Sequence, residues 1–279
     1  MSTIATSTPV LIRQLERLPT NPTAAVRVLW LADDPNTSSE DLAAAVGTDP
    51  ALTTRIMHLA NSAYFGLSGR VPSSAFAITV LGFSAVRTLA AAAAAGALDQ
   101  QGAVPDGFWS HAAATAVASS LAADRVGARR TEAFSLGLLH DIGRALLHRV
   151  DPARYAEISA EARAGGRPLC LAEQETYGMD HAEAASRVLR AWRFPDDFVV
   201  AISGHHDALS PSAVPLARAL HAGEALAMLA DEAGSEEFEN IDEAERMLEQ
   251  FNLSDVDREL FLGQIKRESD ALAMSFSMT

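Results

Sequence analysis

The sequence predicts an all-α fold built from two packed helical lobes. β-Branched alternation does not persist in any segment, whereas helix caps, apolar positions three and four residues apart and alanine recur along the chain. A length of 279 residues is enough for one large domain or two lobes with a substantial core. We place an N-terminal helical lobe at residues 1–104, a second helical lobe at residues 105–230 and a C-terminal appendage at residues 231–279.

Short helices separated by turns are expected in the N-terminal lobe. They are predicted over residues 9–18, 23–32 and 40–46, then from Pro50, with one more after Ser74. The turn 19–22 follows from its two prolines, and Ser38 or Ser39 and Asp49 are the expected caps. The pair Asn61-Ser62 is expected to form a buried hydrogen-bonding point that ends its helix. We expect nothing catalytic in this lobe.

The segment 102–107 is expected to connect two lobes that share an extensive interface. The helices predicted beyond it run from Trp109 to Ala123, over 131–150, over 152–164, from His181 to Trp192, from Pro195 to about Gly204, and from Pro215. Residues 231–249 carry nine acidic residues and one arginine, which predicts an exposed segment. Ser254 would then cap a last amphipathic helix that packs back through Val256, Leu260, Phe261 and Ile265.

Composition limits the class of protein. The net charge is −14 and Lys266 is the single lysine, so direct nucleic-acid binding is not expected. The longest apolar run, around Leu89 to Leu98, is too short to cross a bilayer, and the first residues lack a secretion signal, so no membrane association is expected. One cysteine, Cys170, fits a reducing compartment. The expected localisation is cytoplasmic.

The stretch 131–150 is the main functional clue. On one continuous helix with about 100° per residue, Arg144 lies about 40° and Asp141 about 100° from His140, so that a polar strip crosses an otherwise apolar helix. Gly137 on the same strip would let another group approach the backbone. The alternative is that this strip is only the solvated face of an amphipathic helix.

A set of six histidine and aspartate positions, which includes His140 and Asp141, decides between these alternatives. They lie on different helices or helix ends of the second lobe, which is how helical bundles bring ligands to a buried metal. Imidazole and carboxylate groups suit a divalent ion such as Fe, Mn, Zn or Ni, and Asp141 could bridge two ions in a binuclear centre. His148 and His221 are expected outside the centre. The predicted ligands are His111, His140, Asp141, His181, His205 and His206.

The order of these ligands resembles the HD superfamily of metal-dependent phosphohydrolases, and their spacing resembles its HD-GYP branch, which cleaves cyclic di-GMP. Over residues 11–209 the chain more closely resembles the HDOD family, a bacterial signalling relative of those enzymes. The matching landmarks are Leu18-Pro19, Asp49-Pro50, residues 59–62, Ala77-Ile78, Leu81-Gly82, residues 137–143, Asp180-His181, Trp192, Pro195 and His205-His206.

The HDOD resemblance implies a two-lobed helical regulator from bacterial signal transduction, a family to which catalysis has generally not been assigned. Many members look degenerate at the metal positions, whereas this chain keeps all six. Two positions depart from the enzyme pattern: Arg144 stands where the pattern has lysine, and Glu224 is the nearest carboxylate to its terminal aspartate. The GYP segment is not recognisable. Whether Glu224 replaces the terminal aspartate stays open.

Two hypotheses follow. In the first, the protein is a regulatory module that acts on signalling proteins or binds a nucleotide or phosphate ligand, with the metal serving structure or sensing. In the second, it is a metal-dependent phosphohydrolase in which Asp141 and the metal activate a water and Arg144 positions a phosphate. Both hypotheses predict the same fold and differ in turnover.

Overall fold

The computed structural model describes Leu15 and residues 23–67, 69–99, 103–207, 209–210, 212–230, 241–249 and 254–277. Within these ranges the secondary structure is helical and contains no strand, which confirms the all-α prediction. The helices are α1 Ala24–Asp33, α2 Ser39–Val46, α3 Pro50–Ala60, α4 Ser74–Ala94, α5 Phe108–Val126, α6 Arg130–Leu139, α7 Ile142–Val150, α8 Pro152–Ala164, α9 Leu169–Tyr177, α10 His181–Ala191, α11 Asp196–Ser203, α12 Pro215–Ala230, α13 Ile241–Glu249 and α14 Asp255–Ser277.

The predicted caps of the N-terminal helices are confirmed. Ser38 caps α2 in a reciprocal capping box with Asp41, and Asp49 caps α3 with Pro50 in its first turn. Asn61 ends α3 as predicted, since its side-chain amide donates to the carbonyl of Met57 at 3.0 Å. The hydroxyl of Ser62 is buried without a hydrogen-bond partner among the described residues, so the part of the prediction that concerns Ser62 is wrong. The Asn61 oxygen also accepts from the backbone N–H of Val71 at 3.2 Å, so the same side chain holds the loop that leads to α4.

By length and composition alone, helix α4 could cross a membrane. However, 61% of its most apolar stretch of 18 residues is buried inside the protein, as in a core helix. Gly82 interrupts its helical geometry with φ 78°, a left-handed conformation that favours glycine. The helix packs against α1, α2 and α3 on one side and against α6 of the second lobe on the other. It is therefore the central core element of the N-terminal lobe.

Arg87 of α4 ties the two lobes together. Its guanidinium lies 2.6 Å from the carboxylate of Asp33 and donates to the backbone carbonyls of Trp192 and Arg193 at 3.3 and 2.6 Å. The cation also lies 4.6 Å from the ring centroid of Phe194. The lobes thus meet through a buried polar contact as well as through apolar packing. The proposed division at residue 104 stays a prediction.

The second lobe is organised around α5, which packs against α6, α12 and α14. Two glycines allow this close approach: a Cβ on Gly137 would lie 2.7 Å from the Thr115 carbonyl, and one on Gly223 would lie 2.0 Å from Ser119 Oγ. The group that approaches Gly137 is therefore the backbone of α5. Glycines of α6 and α12 thus let both helices approach the backbone of α5 closely.

The predicted continuous helix over 131–150 is wrong. Residues 140–141 form a turn between α6 and α7, and Asp141 leaves helical geometry at φ −92°, ψ 10°. The first helix begins after Arg129 rather than at a Thr131 cap. The angular relations calculated for one helix therefore do not describe this segment, and the turn itself presents His140 and Asp141.

The C-terminal appendage differs in part from its prediction. Residues 241–249 form α13, which packs on α12 with Ala244 and Leu248 buried, so this half of the acidic segment contributes to the core. Ser254 caps α14 as predicted, and Ile265 is buried. Val256 and Leu260 are 67% and 63% exposed, so these two predicted contacts are wrong. The predictions for residues 9–14, 16–22, 100–102 and 231–240 lie outside the described residues.

Candidate metal centre

The turn between α6 and α7 places His140 and Asp141 in the interior of the second lobe, 0% and 1% exposed. His140 Nδ1 donates to the carbonyl of Gly137 at 2.7 Å, which orients the ring and directs Nε2 away from the backbone. The start of α7 lies against the start of α10, because Gly143 has no side chain: a Cβ there would lie 1.8 Å from the His181 carbonyl oxygen. This contact between the backbones at Gly143 and His181 places His181 beside Asp141.

One carboxylate oxygen of Asp141 is surrounded by imidazoles. Oδ1 lies 3.2 Å from His181 Nε2, 3.6 Å from His140 Nε2 and 3.8 Å from His205 Nε2. It is buried and accepts no well-aligned hydrogen bond. An anionic oxygen in the interior needs a partner that compensates its charge. A metal cation could be that partner, because the oxygen and the three nitrogens around it are all suitable metal ligands.

The second carboxylate oxygen of Asp141 faces a different group of side chains. Oδ2 lies 3.8 Å from His111 Nε2 and accepts from Arg144 at 3.1 Å. His111 Nε2 is also 3.2 Å from His140 Nε2. His111 comes from the first turns of α5, so α5 and the α6–α7 turn meet at this point. Each oxygen of Asp141 therefore lies beside a separate group of nitrogen atoms.

His205 and His206 follow the end of α11 and approach from the opposite side. His205 Nδ1 donates to the carbonyl of Ile202 at 2.6 Å, which fixes its ring in the same way as that of His140. His206 Nε2 lies 2.7 Å from His181 Nε2. Since an imidazole nitrogen is a donor or an acceptor but not both, two Nε2 atoms this close share a proton or a cation.

The donor set fits a metal. The six residues form two groups of three, and within each group the ligand atoms lie within 4.8 Å of one another. One group is His181, His205 and His206, and the other is His111, His140 and Asp141. Nitrogen ligands at about 2.1 Å from one ion stand about 3.0 to 3.4 Å apart, which matches the 3.2 Å between His111 Nε2 and His140 Nε2. The six predicted residues are thus brought together. Their role as ligands stays a prediction, and the cluster does not select among Fe, Mn, Zn and Ni.

Glu224 of α12 reaches the same centre. Its side chain is buried, and Oε1 lies 3.8 Å from His140 Nε2. The close approach of Gly223 to Ser119 brings α12 against α5 and thereby moves Glu224 inward. A carboxylate therefore stands beside the imidazoles at the position for which the sequence suggested a substitute for the terminal aspartate.

Neighbouring opposite charges shift the pKa values of Asp141 and His181 at this centre. Burial alone would raise the pKa of Asp141, but His140, Arg144 and His181 hold that pKa well below its ordinary value. Burial alone would lower the pKa of His181, but the carboxylates of Glu173 and Asp141 outweigh it and raise that pKa well above the ordinary histidine value. The centre therefore favours a carboxylate surrounded by positive charge.

Glu173 and Tyr155 were not among the predicted site residues. Both are fully buried, Glu173 contacts His181, and Tyr155 contacts Glu173. A glutamate at an apolar position of α9, where Leu169 and Tyr177 one turn away on either side are also buried, was the available signal in the sequence. Elsewhere, His221 lies against the carbonyls of Ala217 and Asp207, and the His148 ring lies 5.9 Å from that of Tyr155.

Comparison with known proteins gives relatives of the same architecture. A protein called a putative phosphohydrolase, from Shewanella amazonensis SB2B, is 27% identical with a TM-score of 0.61, covering 96% of this chain and 93% of that chain. A protein called a putative signal transduction protein, from Marinobacter aquaeolei VT8, is 25% identical with a TM-score of 0.71, covering 96% of this chain and 61% of that chain. An HDOD domain protein from Geobacter sulfurreducens shares the fold at 20% identity and a TM-score of 0.64, over 95% and 98% of the two chains.

Among curated proteins, an uncharacterized protein of Treponema pallidum strain Nichols is 24% identical over 200 residues, or 70% of this chain. The match spans only 38% of that relative's length. The family model of the HDOD domain matches residues 18–208, well over half of the chain. This protein therefore belongs to the HDOD family.

Proposed function

We propose that this protein is a regulatory HDOD protein that binds a divalent first-row transition metal in the second lobe. The observation that carries the proposal is the buried Oδ1 of Asp141, which has three imidazole Nε2 atoms within 3.8 Å and no aligned hydrogen bond. A purely structural aspartate in the interior would be expected to accept hydrogen bonds at both oxygens. A metal ion accounts for an oxygen that is buried and surrounded by nitrogen donors.

The residues divide into two candidate positions. His181, His205 and His206 would hold one ion, and His111 and His140 would hold a second, with Asp141 between them. Glu224 is a further candidate beside His140. When bound, the metal would supply Lewis-acid polarisation of an oxygen ligand. The protein itself would limit the access of water to that ligand, because the His140, Asp141 and His181 side chains are almost fully buried.

Arg144 supports an anionic ligand as the regulatory signal. Its side chain is 6% exposed, and its guanidinium donates to Asp141 Oδ2, so it lies in direct contact with the predicted bridging carboxylate. Guanidinium groups bind phosphate in a bidentate manner, which suits a nucleotide or phosphate ligand beside the metal. We further propose signalling proteins as partners and the cytoplasm as the compartment. The net charge of −14 and single lysine support a surface that does not bind nucleic acid.

The second candidate is a metal-dependent phosphohydrolase acting on a phosphoester such as a cyclic dinucleotide. The specific observation that favours it is the complete histidine and aspartate set, with Arg144 adjacent and two ligand groups meeting at one carboxylate. The name of the Shewanella relative, at 27% identity, agrees with this chemistry. In this reading Asp141 and Arg144 become catalytic residues, since they would touch the metal and the substrate phosphate.

Metal analysis of anaerobically purified protein tests the proposal, combined with a hydrolysis screen of cyclic dinucleotides, nucleotides and phosphomonoesters. Asp141→Asn removes the central carboxylate charge with little change in volume. Asp124→Asn, on the exposed face of α5, is the matched control. Stoichiometric metal that Asp141→Asn loses and Asp124→Asn keeps, without turnover, supports the regulatory module. Turnover abolished only in Asp141→Asn supports the phosphohydrolase. Metal-free wild-type protein that takes up no metal on titration would refute both.

A further inference from the structure

We infer that Glu173 and Tyr155 are positioning residues of the metal centre, acting through His181 from outside the ligand set. Glu173 lies on α9 and Tyr155 on α8, and both are 0% exposed. Neither belongs to the predicted ligands, and neither reaches Asp141 through a described contact. The inference rests on the proposed metal-binding function and identifies the residues that prepare one of its ligands.

The contacts form a linear chain through the interior. Glu173 Oε2 accepts from His181 Nδ1 at 2.6 Å and from the His181 backbone N–H at 2.8 Å. The other oxygen, Oε1, accepts from the Tyr155 hydroxyl at 2.6 Å. Three donors thus meet one buried carboxylate, which offsets the desolvation of its charge. Two of the three come from the same residue, His181.

This arrangement fixes the direction of the His181 ring. With Nδ1 donating to Glu173, Nε2 points into the centre, where it lies 3.2 Å from Asp141 Oδ1 and 2.7 Å from His206 Nε2. A carboxylate on the far nitrogen of an imidazole holds the tautomer and increases the electron density on the ligating nitrogen. The tyrosine hydroxyl in turn binds the other oxygen of the same carboxylate and thereby restricts its rotation.

A structural explanation for Glu173 covers only part of these contacts. The backbone N–H of His181 is the first of α10, and a carboxylate there satisfies an otherwise exposed donor of the helix. Asp180 already caps this helix by accepting from Glu183 N at 2.8 Å. The bond from Glu173 to the ring nitrogen has no part in capping, and the Tyr155 hydroxyl supports the same carboxylate.

The experiment compares Glu173→Gln and Tyr155→Phe with Glu175→Gln in the full-length protein. Glu175 lies on the same helix with an exposed side chain paired to Arg167, so its substitution controls for loss of charge on α9. Zn²⁺ alone is the probe, titrated in competition with a chromophoric chelator. We expect Glu173→Gln to weaken Zn²⁺ binding about 10- to 100-fold, Tyr155→Phe about 3-fold and Glu175→Gln less than about 2-fold.

The second readout is the proton NMR resonance of His181 Nδ1–H in metal-free protein. A short bond to a buried carboxylate places this resonance far downfield and slows its exchange. We expect it in wild type and Glu175→Gln, shifted upfield in Tyr155→Phe, and shifted or lost in Glu173→Gln. If Glu173→Gln does not fold, Tyr155→Phe decides, because it removes only a hydroxyl. Wild-type Zn²⁺ affinity or an unchanged resonance in the folded variants would overturn the inference. Wild-type protein that binds none of Zn²⁺, Fe²⁺, Mn²⁺ and Ni²⁺ would instead refute the metal function, and the resonance would still test the positioning.

Discussion

Gly143→Ala is expected to damage stability and the metal centre together. The added Cβ would lie 1.8 Å from the carbonyl oxygen of His181, 2.6 Å from its carbonyl carbon and 2.9 Å from its Cα. All three atoms are backbone, so no side-chain rotation relieves the overlap, and α10 must move by about 1.5 Å to reach ordinary contact. Overpacking of this kind costs about 3 kcal/mol. For a chain of this size that lowers the melting temperature by about 5 °C.

The same displacement moves His181 relative to Asp141, and ligand geometry tolerates only about half an ångström. We therefore expect Zn²⁺ affinity to fall about 10-fold or more. Differential scanning calorimetry and a competitive Zn²⁺ titration measure the two effects. Gly165→Ala is the matched control. Gly165 ends α8 with φ −87°, and a Cβ added there would lie 3.3 Å from its nearest neighbour, the carbonyl oxygen of Glu161. Equal melting temperatures and affinities for the two variants would refute the proposed contact between α7 and α10.

Three further predictions concern charge. The raised pKa of His181 contributes stability that is present below about pH 6.5 and is lost as the pH rises through the folded pKa. The melting temperature of metal-free protein should therefore fall between pH 7 and 9, and a rise over this range would contradict the prediction. Zn²⁺ affinity should instead increase with pH, because binding of the metal displaces a proton. Arg144→Lys should not create substantial cyclic di-GMP hydrolysis, alone or with Glu224→Asp, and should change phosphate binding more than turnover; robust hydrolysis by the single variant in steady-state assays would show that the protein is an enzyme. Arg87→Ala should reduce the free energy of unfolding by about 2 kcal/mol, because the carbonyls of Trp192 and Arg193 lose their donor, and denaturant titration showing no change would exclude this link between the lobes.

The helices were predictable from the sequence because their ends are set by local chemistry. A Ser38 or Asp49 cap depends on residues three positions away, and Pro152 and Gly165 bound α8 at the residues expected. The order of the six ligand types was readable for a related reason. Each ligand lies at or near a helix end, where local signals place it, and the family resemblance supplied the set.

The turn at His140-Asp141 was not predictable from local signals. Residues 131–150 contain no proline and have an apolar pattern that fits one helix, so propensity favours continuity. The break depends instead on tertiary contacts, in particular the approach of α10 to Gly143 and of α5 to Gly137. Glu173 was passed over for a similar reason, since its function depends on partners 8 and 18 residues away in sequence.

The balance of buried charge links the metal proposal to the pH prediction. Asp141, Glu173 and Glu224 bring three carboxylates into the interior, and Arg144 is the nearest guanidinium among the described contacts of the centre. Buried anions in excess of cations are costly unless protons or metal ions compensate them. A proton retained on His181 supplies part of this compensation, which is why its pKa is raised. A divalent ion would replace that proton with a larger charge at the same place, so metal and protons should compete for this centre.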